Sequence, residues 1–400
     1  MKSAVASTQE IDNLKLSVSE LSSQIKSKLN LAKNSIGIMY CDADVQVDEL
    51  SALLHKELGI DIIGLTTSAT VERNEGYNDM GVLLSVLTAD DVEFSAAHTE
   101  ELSTDNYVEE ITKAYSAASK KISSTPKLIY TCAPFIADLT SENYVEMLDE
   151  LSGGAPVFGG VSTDHYDFQQ QKTFYNGVAS PRRLVFVLMT GNIKPVFSMK
   201  HNFGAPTEKK GKITKSTANL IQEVDGQLFR DYIETIVPVP DEELVIYQFQ
   251  STPFIMELPD FETDEQPVVR AILAIDSTTG AGSFLSKMPE NSMLYLTEFQ
   301  RPNLDKSCTD TMIDIREKML ATTDYEYCML FICTCNARHL LMAADKTLEG
   351  ATINETLKDM PAGINATGYY GFGEMCPTGV KTDGSAKNRF HNISFTVCAI

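Results

Sequence analysis

Charged side chains set among apolar or glycine-rich residues are where this sequence has the means for chemistry. Arg338 follows the apolar run Phe331 to Cys335, Glu374 interrupts the glycine-rich segment 368–375, and His391-Asn392 opens the last apolar run. A charge carried into such surroundings needs a partner, because an unpaired buried ion is strongly destabilising. Two arrangements meet that need. Arg338 and Glu374 can pair with each other or with backbone as structural glue, or both can face a cleft. In a cleft, an arginine fork holds a carboxylate through two bonds and a glutamate accepts from an ammonium, which together would suit an amino acid or similar zwitterion. Thr163 and Asp164 supply acceptors at the equivalent place earlier in the chain, as do Thr66 and Thr67 further upstream. Turn formation and helix capping use the same residue types.

The cysteines point less clearly to a site. Cys333 and Cys335, with Cys328 and His339 nearby, lack the second pair that a zinc site wants, and free cysteine often packs as a small hydrophobe. Cys132, ahead of Ala133-Pro134, is the candidate accessible thiol, although its place echoes that of Cys41 and so also suits packing. No phosphate loop, zincin helix, calcium loop or nucleophile elbow occurs. Gly368, Gly371 and Gly373 are in the wrong order for a dinucleotide fingerprint. We therefore expect a binding module with no catalytic residues, metal or cofactor. A hydrolase or thiol enzyme using Cys132 or Cys335 is the enzymatic alternative.

The elements that must position these residues recur three times. A helix is expected from Ile11 to Leu29, an apolar run over Ile36–Cys41, a helix over Val45–Leu58 stopped by Gly59, and a strand over Ile60–Leu65. Two strands, 81–87 and 92–97, read as a hairpin. The order repeats with a helix at 105–122, strands at Lys127–Cys132 and Val157–Val161 around a helix at 141–151, and a second hairpin-like pair, 184–189 and 194–199, joined at Gly191-Asn192. It repeats again with helices at 305–322 and 345–358, and strands at 327–335, 363–373 and 390–400. The segments IIGLTTSAT (62–70), VFGGVSTDH (157–165) and TGYYGFGEM (367–375) leave equivalent strands. The fold class is α/β with mixed sheets, repeated α-β-α-β-β units flanked by helices, in which such strand exits tend to build binding clefts. We divide the chain into domains 1–225 and 226–400, the second with extra strands at 244–249, 268–275 and 292–299.

Charge excludes several partners. With 55 acidic against 33 basic residues and a net charge of −22, neither nucleic acid nor an anionic membrane surface is expected. The basic cluster Lys209, Lys210, Lys212 and Lys215 reads as a solvated linker. No apolar run reaches the ~20 residues that span a bilayer. Met1–Gln9 lacks a signal pattern, and eight scattered cysteines read as reduced thiols, so a cytoplasmic location is expected.

Several segments together resemble the FIST sensory family, from about residue 30 to 400. APVFGGVSTD (155–164) resembles the N domain's Gly-Gly turn, and STANLIQEVDGQLFRDYIETI (216–236) the passage between domains. FICTCNARHLL (331–341), GYYGFGEMCP (368–377) and HNIS (391–394) resemble the C domain's Cys-x-x-Arg, Gly-Glu and His-Asn segments. In the first repeat, Thr66-Thr67-Ser68-Ala69-Thr70 replaces the Thr-x-Gly-Glu-like turn of many relatives, so a role for that glutamate does not carry over. The resemblance implies sensing of a small ligand, typically an amino acid, with Arg338, Glu374, Thr163, Asp164, His391 and Asn392 as ligand-binding candidates. It also implies a separate signalling protein as output, such as a histidine kinase or chemotaxis component. Some relatives are associated with haem and nitric oxide, and His165 is the candidate axial ligand for that alternative.

Overall fold

The expected repeats fold as three sheets of one design. The computed structural model describes residues 1–73, 76–166, 168–201, 203, 209–239, 249, 252–261, 266–297, 300–342, 345–360 and 363–400. In the first repeat, strands Asn34–Asp42 and Asp61–Thr67 run parallel around helix Val47–Leu58, which stops at Gly59 with φ +68°. Strand Val82–Ala89 flanks the pair antiparallel. The second repeat sets Leu128–Ala133 and Val157–Val161 around helix Glu142–Ser152, with Val185–Gly191 alongside. The third sets Met329–Cys335 and Asn365–Gly371 around helices Asn336–Leu341 and Leu348–Leu357, with Phe395–Ala399 alongside.

Each sheet is completed by its neighbours. The hairpin that follows the first repeat's parallel pair, Thr70–Glu72 and Gly76–Asn78, joins the third sheet. The hairpin Thr173–Tyr175 and Val178–Ser180 joins the first, and Glu374–Val380 with Ala386–His391 joins the second. On the opposite edges lie Lys2–Thr8, Val92–His98 and Val196–Lys200.

Strand alternation sorts the apolar residues into layers. Ile36, Ile38 and Tyr40 point to a common centre shared with Leu128, Tyr130, Met329 and Phe331, while Met39 and Cys41 pack under the first repeat's helices. At the centre the Tyr40 and Tyr130 hydroxyls hydrogen-bond, and the Tyr369 ring lies 4.6 Å from that of Tyr40.

Several expectations change. The strands Val82–Ala89 and Val92–His98 are not a hairpin: the first pairs within sheet one and the second with Val185–Gly191 in sheet two. The pair at Gly191-Asn192 likewise divides between sheets two and three. Alternation fixes which face of a strand is buried but not which strand lies beside it, and these short links are corners between sheets. The two corners touch, Asn192 donating to Asp91 Oδ2 at 2.9 Å. Cys132 faces the common centre whereas Cys41 faces the helices, so their echo is not one of orientation. The last expected strand is two, His391 ending one and Phe395 beginning the next, with Ile393 at φ +54° in the corner.

A fourth sheet is inserted between Lys200 and the helix Arg301–Ala321. It contains strands Lys210–Thr217, Leu220–Val224, Phe254–Glu257, Val268–Arg270, Ile272–Ile275, Gly282–Phe284 and Met293–Leu296. The basic cluster expected in a linker thus lies largely on its first strand. The boundary expected at 225/226 falls at a turn inside this sheet, between Leu220–Val224 and Gln227–Leu228. Of the strand expected at 244–249, all but Phe249 lies outside the described residues. Among the described residues no helix is long and apolar enough to cross a membrane.

Candidate functional site

The three strand exits meet in a closed ring of hydrogen bonds. Thr163 N donates to Thr66 O and Thr66 Oγ1 to Thr163 O, both at 2.9 Å. Thr67 Oγ1 donates to Tyr370 O at 2.8 Å, and Tyr370 N to Ala69 O at 3.2 Å. Phe372 N donates to Val161 O at 3.1 Å, and Val161 N to Gly373 O at 3.0 Å. Such close approach demands glycine: a Cβ on Gly160 would lie 2.5 Å from Cys333 Sγ and 2.7 Å from Gly373 O.

Asn336, the first residue of helix Asn336–Leu341, joins this ring through its side chain. It accepts at Oδ1 from Ser68 Oγ at 2.6 Å and from the Tyr166 hydroxyl at 2.8 Å, and donates from Nδ2 to Thr163 Oγ1 at 3.0 Å. The Tyr166 hydroxyl also lies 3.2 Å from His339 Nδ1, whose other nitrogen is 2.7 Å from the Tyr77 hydroxyl. Burial pushes the His339 imidazole down to about 4, so it stays neutral in this chain of partners.

Beside the ring lies a narrow cavity of about 40 Å³. One wall is Tyr166, Phe168 and Phe372, the last two stacked with ring centres 4.6 Å apart. Asn336, Cys335 and Asn392 add polar atoms, and Ala271, Ile272 and Leu285 come from the inserted sheet. Its apolar lining with few polar groups has the character of small-molecule sites. Asn392 is anchored to the inserted sheet: its Oδ1 accepts from Ser286 Oγ at 2.7 Å and Ala271 N at 3.3 Å. Its Nδ2 is buried with no hydrogen-bond partner.

Of the six expected ligand contacts, only Asn392 lines this cavity. Arg338 is fully buried beneath the helices. Its Nε donates to Glu349 Oε1 at 2.7 Å, Nη1 to Ser307 Oγ at 2.8 Å and Nη2 to Leu304 O at 3.1 Å. The expected pairing of Arg338 with Glu374 is therefore replaced by one with Glu349, eleven residues along the chain on the neighbouring helix. Glu374 is also fully buried, its Oε2 accepting from Ser394 Oγ at 2.6 Å and Ser394 N at 3.1 Å. Burial pushes its carboxyl up to about 8 against the pull of Ser394, so it is mostly protonated at neutral pH. Asp164 gathers four backbone N–H groups of its own loop: Tyr166 and Phe168 on Oδ1, Gln169 and Gln170 on Oδ2. It thereby shapes the loop that carries Tyr166 and Phe168 at φ +72° and +59°. His391 faces Cys376 O at 3.1 Å, and burial pushes it down to about 3.

The thiols lack the setting of a nucleophile. Cys132 and Cys335 are buried, and desolvation pushes both well up. His165 Nε2 lies 3.2 Å from Asp42 Oδ1 and 3.8 Å from Asp44 Oδ2, and His165 does not line the cavity. A nitrogen already facing two carboxylates, away from the apolar cavity, does not fit a haem axial ligand.

The residues that reading the sequence missed are Asn336, Tyr166, Phe168 and Phe372. Asn336 lies inside the CNAR segment, where the neighbouring arginine drew the attention.

Two family models match the chain. The FIST N domain model matches residues 35–227 and the FIST C domain model residues 227–377. No curated protein matches the chain. Two solved structures share 10% identity with it. A cyanuric acid hydrolase from A. caulinodans has a TM-score of 0.26, over 50% of this chain and 70% of that one. A second cyanuric acid hydrolase has a TM-score of 0.33, over 100% and 99%. Likenesses this low carry no weight for fold or activity.

Proposed function

The chain belongs to the FIST family, and on that premise we propose that it is a sensory module whose cavity between the strand exits and the inserted sheet takes a small ligand. FIST domains are small-ligand sensory domains of signalling proteins. The observation that carries the reading is Asn392 Nδ2, a buried amide donor without a partner in the wall of the cavity. Leaving such a donor unmade costs about 1–3 kcal/mol, which an acceptor on a bound molecule would recover.

The lining also bears on ligand class. An amino acid would bring two charges to a wall with no charged side chain among its described residues, since Arg338 is engaged elsewhere. A compact metabolite with an aromatic or apolar body and one neutral acceptor suits Tyr166, Phe168, Phe372 and Asn392 better. Occupancy would brace the inserted sheet against the loop 164–170, and a separate signalling protein, such as a histidine kinase or chemotaxis component, would read that change.

Thermal melting against a panel of uncharged heteroaromatic metabolites and free amino acids tests this reading. Stabilisation by members of the first group is expected. Stabilisation by amino acids alone would contradict the ligand class, and none by either group would contradict the function.

A further inference from the structure

Away from the cavity, the end of the first repeat's leading strand and the second repeat's exit loop bring three metal-binding side chains together. Asp42 is the last residue of strand Asn34–Asp42, Asp44 follows in the turn, and His165 comes next to the loop-organising Asp164. One ligand atom from each lies within 4.8 Å of the other two. Among the described residues this is the only such grouping of three.

Two features separate it from an ordinary surface ion cluster. The Asp42 side chain is only 3% exposed, and while Oδ1 takes Asp44 N at 2.9 Å and His165 Nε2, Oδ2 is buried with no hydrogen-bond partner. A buried carboxylate oxygen without a donor is a standing deficit that a cation would fill. The other two members keep the site open, His165 being 46% and Asp44 61% exposed, so an ion can enter and retain waters.

We propose that Asp42, Asp44 and His165 bind a divalent first-row transition-metal ion. Two hard carboxylates with one imidazole suit Mn²⁺ or Zn²⁺, with water completing the coordination. Bound there, the ion clasps the first repeat to the loop 164–170 and holds that loop's Tyr166 and Phe168 in place. The site stands independently of any ligand in the cavity.

The test is calorimetric titration of the chelator-treated full chain with Mn²⁺ and separately with Zn²⁺. One saturable equivalent is expected for at least one of them. Asp44→Asn should weaken it by roughly tenfold or more, and so should His165→Lys, which removes the imidazole ligand and sets an ammonium beside the carboxylates. Hydrogen exchange at residues 166–170 should slow when the metal is added. Absence of saturable binding to the wild type, or affinity unchanged in either variant, would overturn the proposal.

Discussion

The side-chain amide of Asn336 donates to Thr163 Oγ1 across 3.0 Å, linking positions 173 residues apart in the third and second repeats. With Ser68 on its carbonyl oxygen, it ties together exits from all three repeats. Asn336→Ala should therefore destabilise the chain by about 1–3 kcal/mol, because it strands the buried Ser68 hydroxyl and removes the donor to Thr163 Oγ1. Urea denaturation checks this through a lower midpoint at unchanged slope. A variant as stable as the wild type would show that the ring of exits stands without its hub.

Arg338 should behave as a stability residue. Arg338→Ala leaves Glu349 buried without its cation and should destabilise by about 3–5 kcal/mol. The double substitution Arg338→Met with Glu349→Leu removes both charges and should recover much of that loss. The urea midpoints of the three proteins decide it. A double variant no more stable than Arg338→Ala would contradict the pairing.

Glu374 should make stability fall as pH rises. Its folded value is raised to about 8 from the usual 4.5, so the native state holds a proton that the unfolded state has released between those values. The contribution is full below about 4.5 and is lost by about 8. The buried imidazoles of His391, His339 and His201, pushed down to about 3, about 4 and about 4, act oppositely and only below the ordinary histidine range near 6.5. From pH 6.5 to 8 the Glu374 effect is therefore free of the imidazoles and lies below the range where the thiols ionise. The urea midpoint should drop across that interval, and Glu374→Gln should flatten the drop. An equal slope in the variant would contradict it.

Asp164→Ala should loosen the cavity wall more than the fold. Four backbone N–H groups lose a shared acceptor, so amide exchange at Tyr166, Phe168, Gln169 and Gln170 should quicken while the central strands keep their protection. Uniformly faster exchange across the chain would show that Asp164 supports the whole molecule instead.

Much of the architecture was legible because apolar periodicity marks helices and strand faces. The helix at Val47–Leu58, its stop at Gly59 and the parallel pairs all follow from local pattern. Strand partners do not. Val92–His98 has the alternation of a hairpin arm, yet its partner is Val185–Gly191, nearly a hundred residues away, and periodicity carries no record of that choice. The candidate site was legible in part for a related reason. The three exits were visible as similar turns, whereas the partner of Arg338 depended on where Glu349 would fall, and Glu349 looked like any other helix carboxylate. Asn392 stood out by its setting. Asn336 did not, since a lone asparagine at the start of a helix reads as a cap.

Calorimetric titration of the best stabilising metabolite into the wild type and into Ala271→Trp tests the sensing cavity most directly. The new indole would occupy the space between Ala271 and the Phe168–Phe372 stack. Binding to the wild type and its loss in a variant that still melts cooperatively is the expected result. Equal affinity in both proteins would place the ligand elsewhere and contradict the account.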